Sequence, residues 1–146
     1  MERLVNAVER VPPHNLDAEQ SALGSMMLER SALEKAQEIL SEEDFYRPAH
    51  QQVFDALVSL SEKDEPADLI TLQEELRSRG KLDGVGGTEY LMSLVESVPT
   101  AANVEYYARI VEQKSVLRKL IAAATEIIGL AQNEDDEIDN VTDRAE

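Results

Sequence analysis

The chain contains no cysteine in its 146 residues, which excludes a disulfide framework, thiolate catalysis and cysteine-bound zinc. No apolar run approaches the ~20 residues that a membrane span requires. Met1 is also not followed by the long apolar run of a signal peptide. We therefore expect a soluble, cytoplasmic protein. Its length allows one ordinary domain, or a small domain with an appendage.

Basic residues are scarce as well. The chain has 14 lysines and arginines against 30 acidic residues, a net charge of −16. Affinity for nucleic acid comes largely from neutralising phosphates, so the charge argues against a small DNA-binding helical domain. One basic cluster exists, and it consists of Arg109, Lys114, Arg118 and Lys119. We interpret it as a solvated helix face, and we prefer this to a site for an acidic protein partner or a contact with nucleic acid.

Recognisable catalytic motifs are missing. A phosphate-binding loop needs spaced glycines followed by Lys and Ser or Thr, but Gly80 and Lys81 are followed by Leu82, and residues 84–87 contain no lysine. The histidines are isolated from any metal-ligand spacing, and we interpret His50 as a structural residue on a helix surface or half-buried. The sequence thus predicts no catalytic, cofactor-binding or metal site.

One long helix dominates the second half of the chain. Between Thr100 and Gly129 there is no proline and no glycine, so residues 99–131 can form a helix of about 45 Å. Its apolar residues recur at alternating spacings of three and four, and they are Tyr106, Ile110, Leu117, Leu120, Ala124, Ile127 and Ala131, with Ile121 and Ile128 widening the stripe. Two interpretations remain open: a core helix of a bundle, or a helix that pairs across a subunit boundary.

The preceding residues, 1–99, predict a compact head of short helices. An extended arm with Pro12 and Pro13 leads into five helices, which we expect at Asp17–Leu28 with Asp17 as the N-cap, Ser31–Leu40, Pro48–Glu62, Thr71–Gly80 and Thr88–Val98, with residues 84–87 as a turn. After a turn at residues 132–136, a returning helix should begin at Glu137, with Ile138 and Val141 facing Ile127 and Ala124. Its short length predicts that the chain is part of a longer protein.

Five segments in order resemble one family. They are residues 11–24 (VPPHNLDAEQSALG), 44–50 (DFYRPAH), 67–72 (ADLITL), 86–91 (GGTEYL) and 98–110 (VPTAANVEYYARI). Together they resemble the N-terminal domain of the bacterial replicative DNA helicases of the DnaB family, over essentially the whole chain. The resemblance implies an all-α fold, with a head at residues 1–99 and a helical hairpin at 100–146 whose second arm is truncated.

The resemblance also implies a function. The full-length helicase would be a hexameric ring that unwinds DNA with ATP and magnesium, its ATPase motor lying beyond Glu146 and its place being the bacterial replisome. The N-terminal domain itself would be non-catalytic and need no cofactor. It would pair with other copies in the hexamer and dock the C-terminal domain of a DnaG-type primase. A helicase loader is a further partner, and DNA would be reached only through the ring.

Two sets of site residues follow from the resemblance. For subunit pairing it implies Leu117, Leu120, Ala124, Ile128 and Ala131, and for the primase interface Asp17, Tyr90, Ile121 and Ile127. Core packing is an equal interpretation for the interface residues, and Asp17 alone could be a helix cap. The acidic head would suit basic residues on a partner. The alternative function is a free-standing acidic adaptor that shares the bundle fold.

Overall fold

The computed structural model describes residues 11–133, and every regular secondary-structure element in this part of the chain is a helix. Its elements are α1 (Leu16–Leu28), α2 (Arg30–Ile39), a 3-10 helix (Glu42–Asp44), α3 (Pro48–Glu62), α4 (Leu69–Ser78), α5 (Leu82–Val85), α6 (Gly87–Glu96) and α7 (Val104–Gln132). The all-α prediction is confirmed for these residues. The predicted returning helix, from Glu137 with Ile138 and Val141, lies outside the described residues.

The chain divides into two compact units. One comprises His14–Ser115, which we call the head unit, and the described residues of the other are 11–13 and 116–133. The boundary falls within α7, whose first twelve residues belong to the head unit. Within residues 11–133 no helix combines the length and the apolar character needed to cross a membrane.

The start of α1 differs from the prediction by two residues. Asn15, not Asp17, is the N-cap, and its side-chain oxygen accepts a hydrogen bond from the N–H of Ala18 at 2.9 Å. Asp17 therefore lies in the first turn, where its negative charge favours the positive end of the helix dipole. The helix predicted at Ser31–Leu40 begins one residue earlier, at Arg30, and has no side-chain cap.

Helix α4 begins at Leu69, two residues before the predicted start at Thr71. Asp68 and Thr71 form a reciprocal capping box there, with the Thr71 N–H donating to Asp68 Oδ1 at 3.0 Å. The predicted end was closer, since Gly80 follows α4 with a left-handed φ of +69°. Pro48 occupies the first turn of α3 as predicted, where its missing N–H is not needed.

Two further boundaries differ. Residues 84–87 are not only a turn, because α5 occupies Leu82–Val85 and places Val85 in the core. The long helix begins at Val104 rather than near Thr100. The Thr100 hydroxyl instead accepts a bond from the Ala102 N–H at 3.2 Å, in the turn before the helix.

The core of the head unit surrounds α1. This helix packs against α2, α3 and α6, while α3 also contacts α4 and α5. The largest fully buried apolar side chains are Phe45, Leu23, Met26, Leu33, Leu57, Leu72, Leu76, Leu91 and Leu94. The rings of Phe45 and Phe54 lie 5.1 Å apart between centroids and tilt against each other, as aromatic pairs prefer.

A salt-bridge cluster joins α3 and α4 at the surface. Lys63 Nζ lies 3.0 Å from Glu75 Oε1, and Arg79 Nη1 lies 2.7 Å from Asp55 Oδ2. The hydrogen bond from Lys63 lowers the pKa of the Glu75 carboxyl, and the bond to Asp55 raises the pKa of the Arg79 guanidinium. Such accessible pairs contribute roughly 0.2–1 kcal/mol each, so they support the α3–α4 packing without determining it.

The first part of α7 is fastened to the head unit by a buried polar contact. Ser115 is 2% exposed, and its hydroxyl donates to Asp44 Oδ1 at 2.6 Å, while Asp44 Oδ2 accepts the Ser41 N–H at 2.8 Å. The buried face of this part of α7 consists of Val104, Ala108, Val111 and Ser115. This corrects the predicted stripe, because Tyr106 is 75% exposed and the neighbouring Tyr107 is the one half-buried.

In the other unit, the apolar residues of α7 remain accessible. Leu120 is 61% and Ile127 is 50% exposed. Arg118 donates to the carbonyl oxygen of Pro13 at 2.8 Å, which ties the described part of the N-terminal arm to this stretch of helix.

Helices α1 and α6 of the head unit approach each other closely at Gly24. A Cβ atom added there would lie 2.1 Å from the carbonyl oxygen of Leu94 on α6. Such a clash with backbone forces the two helices apart. We therefore expect Gly24→Ala to lower the free energy of unfolding by roughly 1–3 kcal/mol, measured by urea unfolding followed by circular dichroism.

The matched control is Gly129→Ala on α7, where an added Cβ meets nothing within 4 Å. That substitution should raise stability, or leave it unchanged, because alanine favours a helix by up to about 1 kcal/mol over glycine. Equal stability of Gly24→Ala and the parent chain would contradict the close packing of α1 on α6.

Candidate functional site

A buried carboxylate and histidine lie at the centre of the head unit. Glu19 on α1 is 1% exposed and His50 on α3 is 0% exposed, and His50 Nδ1 lies 2.7 Å from Glu19 Oε1. An ionised carboxylate is stable in such surroundings only when it is paired and hydrogen-bonded. The other Glu19 oxygen accepts the Tyr46 N–H at 2.8 Å, and the Arg47 N–H reaches Oε1 at 3.4 Å.

The network continues from His50 to the hydroxyl of Tyr90 on α6. His50 Nε2 lies 2.6 Å from Tyr90 Oη. The same hydroxyl oxygen receives bonds from Arg47 Nη1 at 3.2 Å and Gln20 Nε2 at 3.4 Å. Tyr90 thus connects three helical segments: α1 through Gln20, the start of α3 through Arg47 and His50, and its own helix.

The partners of His50 determine its protonation pattern. Because the Glu19 carboxylate is an acceptor, Nδ1 carries the proton and donates to it. The Tyr90 oxygen already accepts from Arg47 and Gln20, so its own hydrogen needs an acceptor, and the lone pair of Nε2 is placed to be one. In this arrangement the neutral imidazole satisfies every group of the network, and no buried polar side-chain atom among residues 11–133 lacks a partner.

The position of Tyr90 also depends on a glycine one turn earlier. Gly86 has a φ of +115°, which L side chains rarely adopt, and a Cβ added there would lie 2.7 Å from the Cβ of Tyr90. Gly86 ends α5 and precedes α6 directly. Only glycine therefore permits the tight corner that brings Tyr90 over the N-terminus of α3.

The surface of this network is aromatic and basic. The Arg47 guanidinium lies 4.9 Å from the centroid of the Tyr90 ring, a cation–π distance. Beside it, His14 stacks on Tyr46 with ring centroids 4.1 Å apart. Among the described residues, no group of three acidic or histidine side chains converges as metal ligands.

The primase-interface residues implied by the family resemblance fall into both units. Asp17 is exposed and Tyr90 half-buried in the head unit, and Gln20, which bonds to Tyr90, lies one turn from Asp17 on the same side of α1. Ile121 and Ile127 belong to the other unit and are 37% and 50% exposed. Neither isoleucine is buried in a core in the described structure.

The expected subunit-pairing residues lie in the second unit and share its accessible helix face. Leu117 and Leu120 are 44% and 61% exposed, Ala124 and Ala131 are exposed, and Ile128 is half-buried.

Sequence reasoning missed the Glu19–His50 pair. His50 was expected at a surface or half-buried, and the structure corrects this to complete burial. A signal was present, because each residue lies on an apolar helix face: Glu19 is followed by Leu23 at i+4, and His50 by Val53 and Phe54 at i+3 and i+4. A polar side chain on such a face requires a partner.

Comparison with known proteins shows which family the chain resembles. Residues 11–113 match the family model of the DnaB-like helicase N-terminal domain. The replicative DNA helicase DnaB of Geobacillus stearothermophilus is 51% identical over 94% of this chain and 30% of that protein. The replicative DNA helicase DnaC of Bacillus subtilis is 46% identical over the same shares. The chain thus spans 30% of the length of these two relatives.

Two solved structures have the same fold. The N-terminal domain of DnaB helicase from Mycobacterium tuberculosis is 46% identical with a TM-score of 0.86, and the match covers 92% of this chain and 95% of that one. The N-terminal domain of DnaB helicase from Helicobacter pylori, a structure that also concerns its interactions with primase, is 22% identical with a TM-score of 0.67, covering 90% of this chain and 97% of that one. At the lower identity the likeness concerns the fold alone.

The Glu19–His50 pair should contribute to the free energy of unfolding. Glu19→Ala removes the only carboxylate that pairs with His50 in the described structure, and breaking one side of a buried pair typically costs about 3–5 kcal/mol. We expect a loss of that order in urea unfolding, and a smaller one for Glu19→Gln, which retains one acceptor oxygen. Glu38→Ala, at an exposed position of α2, is the control and should change stability by less than about 0.5 kcal/mol. Equal losses for Glu19→Ala and Glu38→Ala would show that the pair is unimportant.

Proposed function

The chain belongs to the family of DnaB-like helicase N-terminal domains, and from this membership we propose that it is the collar domain of a hexameric replicative DNA helicase. In this proposal residues 1–99 form the globular head and residues 100–146 the helical hairpin, and the first twelve residues of α7 pack within the head unit of the structure. The ATPase motor, with its ATP and magnesium, belongs to the rest of a longer protein that works in the bacterial cytoplasm at the replication fork. The N-terminal domain assembles subunits and docks partners, and contributes no catalytic group. DNA is bound only through the complete ring.

The observation that carries the assembly role is the exposed apolar face of α7. The pairing surface of this proposal consists of Leu117, Leu120, Ala124, Ile128 and Ala131, and Leu120 is 61% exposed. Burying apolar surface gains roughly 25 cal/mol per Å². A second copy of the same helix supplies a matching apolar face, so the surface suits pairing between neighbouring subunits.

The head unit is proposed as part of the docking surface for a DnaG-type primase. Three observations support this: membership of the DnaB-like N-terminal domain family, the H. pylori domain whose structure concerns its interactions with primase, and a half-buried Tyr90 that bonds to Gln20, one turn from the exposed Asp17. Tyrosines with apolar area and a polar tip are frequent in interfaces. Ile121 and Ile127 of the second unit are proposed as further residues that contact the primase. A helicase loader would bind the same ring without a need to contact this domain.

Binding of the C-terminal domain of a DnaG-type primase to this chain tests the proposal. We expect isothermal titration calorimetry to detect a complex, and we expect Asp17→Ala and Ile127→Ala each to weaken it several-fold, because both side chains are accessible. A several-fold loss corresponds to about 1 kcal/mol, the level at which an interface residue begins to count.

Controls separate contact from folding. Circular dichroism should give unchanged helix content for both variants, since neither side chain is in the core. Glu38→Ala on α2 should bind like the parent chain. The absence of any complex with the parent chain at micromolar concentrations would refute the docking role. Unchanged affinity in both variants would refute the assigned residues.

A further inference from the structure

One arginine of the head unit has no carboxylate partner. Arg30, Arg77, Arg79 and Arg109 each lie within 4.0 Å of an Asp or Glu oxygen. Among residues 11–133, Arg47 forms no such ion pair and lies instead against the ring of Tyr90, 4.9 Å from its centroid. In a chain with twice as many acidic as basic residues, an arginine without a carboxylate is an available positive charge.

The guanidinium of Arg47 is held in place. Its Nη1 donates to Tyr90 Oη at 3.2 Å, and that oxygen is fixed by His50 at 2.6 Å, which is fixed in turn by Glu19 at 2.7 Å. A guanidinium carries five N–H donors in a planar fork. The Tyr90 hydroxyl uses one of them. The remaining donors are therefore presented by a rigid support, which reduces the entropy lost when a ligand binds.

A second donor lies beside it. Gln20 Nε2 reaches the same Tyr90 oxygen at 3.4 Å, and an amide nitrogen has two hydrogens. Arg47 and Gln20 are both half-buried, a position at which a charged hydrogen bond is screened less than at an open surface. The acceptor that matches a planar fork of N–H groups is a carboxylate, which accepts two parallel bonds.

We propose that Arg47, supported by Tyr90 and assisted by Gln20, is the docking point for an aspartate or glutamate side chain of a protein partner. This deepens the proposed function and rests on it for the identity of the partner, which would be the primase domain. The local contact is opposite in sign to the basic partner surface expected from the acidic head as a whole. A nucleic-acid phosphate fits less well, because binding of that kind requires several cations together, and Arg47 stands in a chain of net charge −16.

The carboxylate site can be tested without any partner. The Nε–Hε resonance of Arg47 in the parent chain is followed by NMR during titration with glutarate, and with sodium chloride at equal ionic strength. We expect a saturable shift with glutarate only. Tyr90→Phe, which retains the ring but removes the hydroxyl that holds Nη1, should weaken the apparent affinity several-fold. Arg77, an exposed arginine of α4 already paired with Glu74, is the internal control. A shift at Arg47 no larger than that at Arg77 would overturn the proposal.

The partner contact is tested by calorimetry with the primase C-terminal domain. Arg47→Gln should weaken binding at least about tenfold, the size expected for an arginine that anchors an interface. Arg47→Lys should recover only part of the loss, because an ammonium cannot form the planar fork. Arg77→Gln should bind like the parent chain. Thermal unfolding checks that each variant is folded. If Arg47→Gln is unfolded, the affinity of Arg47→Lys for the primase domain and the glutarate titration test the docking point instead.

The outcomes distinguish the two proposals. A parent chain that binds glutarate at Arg47 but no primase domain contradicts the proposed function and leaves the carboxylate site supported. A primase complex that is indifferent to both Arg47 variants contradicts the docking point and leaves the proposed function intact.

Discussion

The burial of the Glu19 carboxylate is the constraint on which the head unit depends. A carboxylate that is 1% exposed must be stabilised by hydrogen bonds. The donors to Glu19 are the backbone N–H groups before α3 and the ring of His50. These bonds hold α1 against α3, and the second nitrogen of His50 then brings in Tyr90 on α6. One set of polar contacts therefore fixes the packing of three helices and the orientation of a side chain at the surface.

The two units present surfaces of different physical character. The head unit offers a small, directional site, in which Arg47 and Gln20 converge on Tyr90 at hydrogen-bonding distances. The second unit offers an accessible apolar helix face that includes Leu117 and Leu120. Apolar burial is non-directional and scales with area, whereas hydrogen bonds to a fixed guanidinium select the chemistry of a partner. The first character fits the proposed contact with a carboxylate, and the second fits the proposed pairing of subunits.

The parts of this fold that local sequence determines were predictable. The family, the all-α class, Pro48 in the first turn of α3 and the left-handed Gly80 follow from short motifs and backbone preferences. Helix starts were less predictable: Asn15 and Asp17 are both residues that favour the N-cap position, and α1 uses Asn15. Tyr106 and Tyr107 are adjacent, so the apolar spacing did not decide which one faces the head. The Glu19–His50–Tyr90 network escaped prediction because its members are 31 and 40 residues apart.

The tautomer of His50 is a direct test of the Glu19–His50–Tyr90 network. Nitrogen-15 NMR of the histidine ring in the parent chain, near neutral pH, distinguishes a protonated from an unprotonated ring nitrogen. The network described for Glu19 and Tyr90 requires a proton on Nδ1 and an unprotonated Nε2 that accepts the Tyr90 hydroxyl. Tyr90→Phe should then shift the Nε2 resonance and leave Nδ1 protonated. A proton on Nε2 with a bare Nδ1 would contradict the account, because Glu19 would lose its donor and Tyr90 its acceptor.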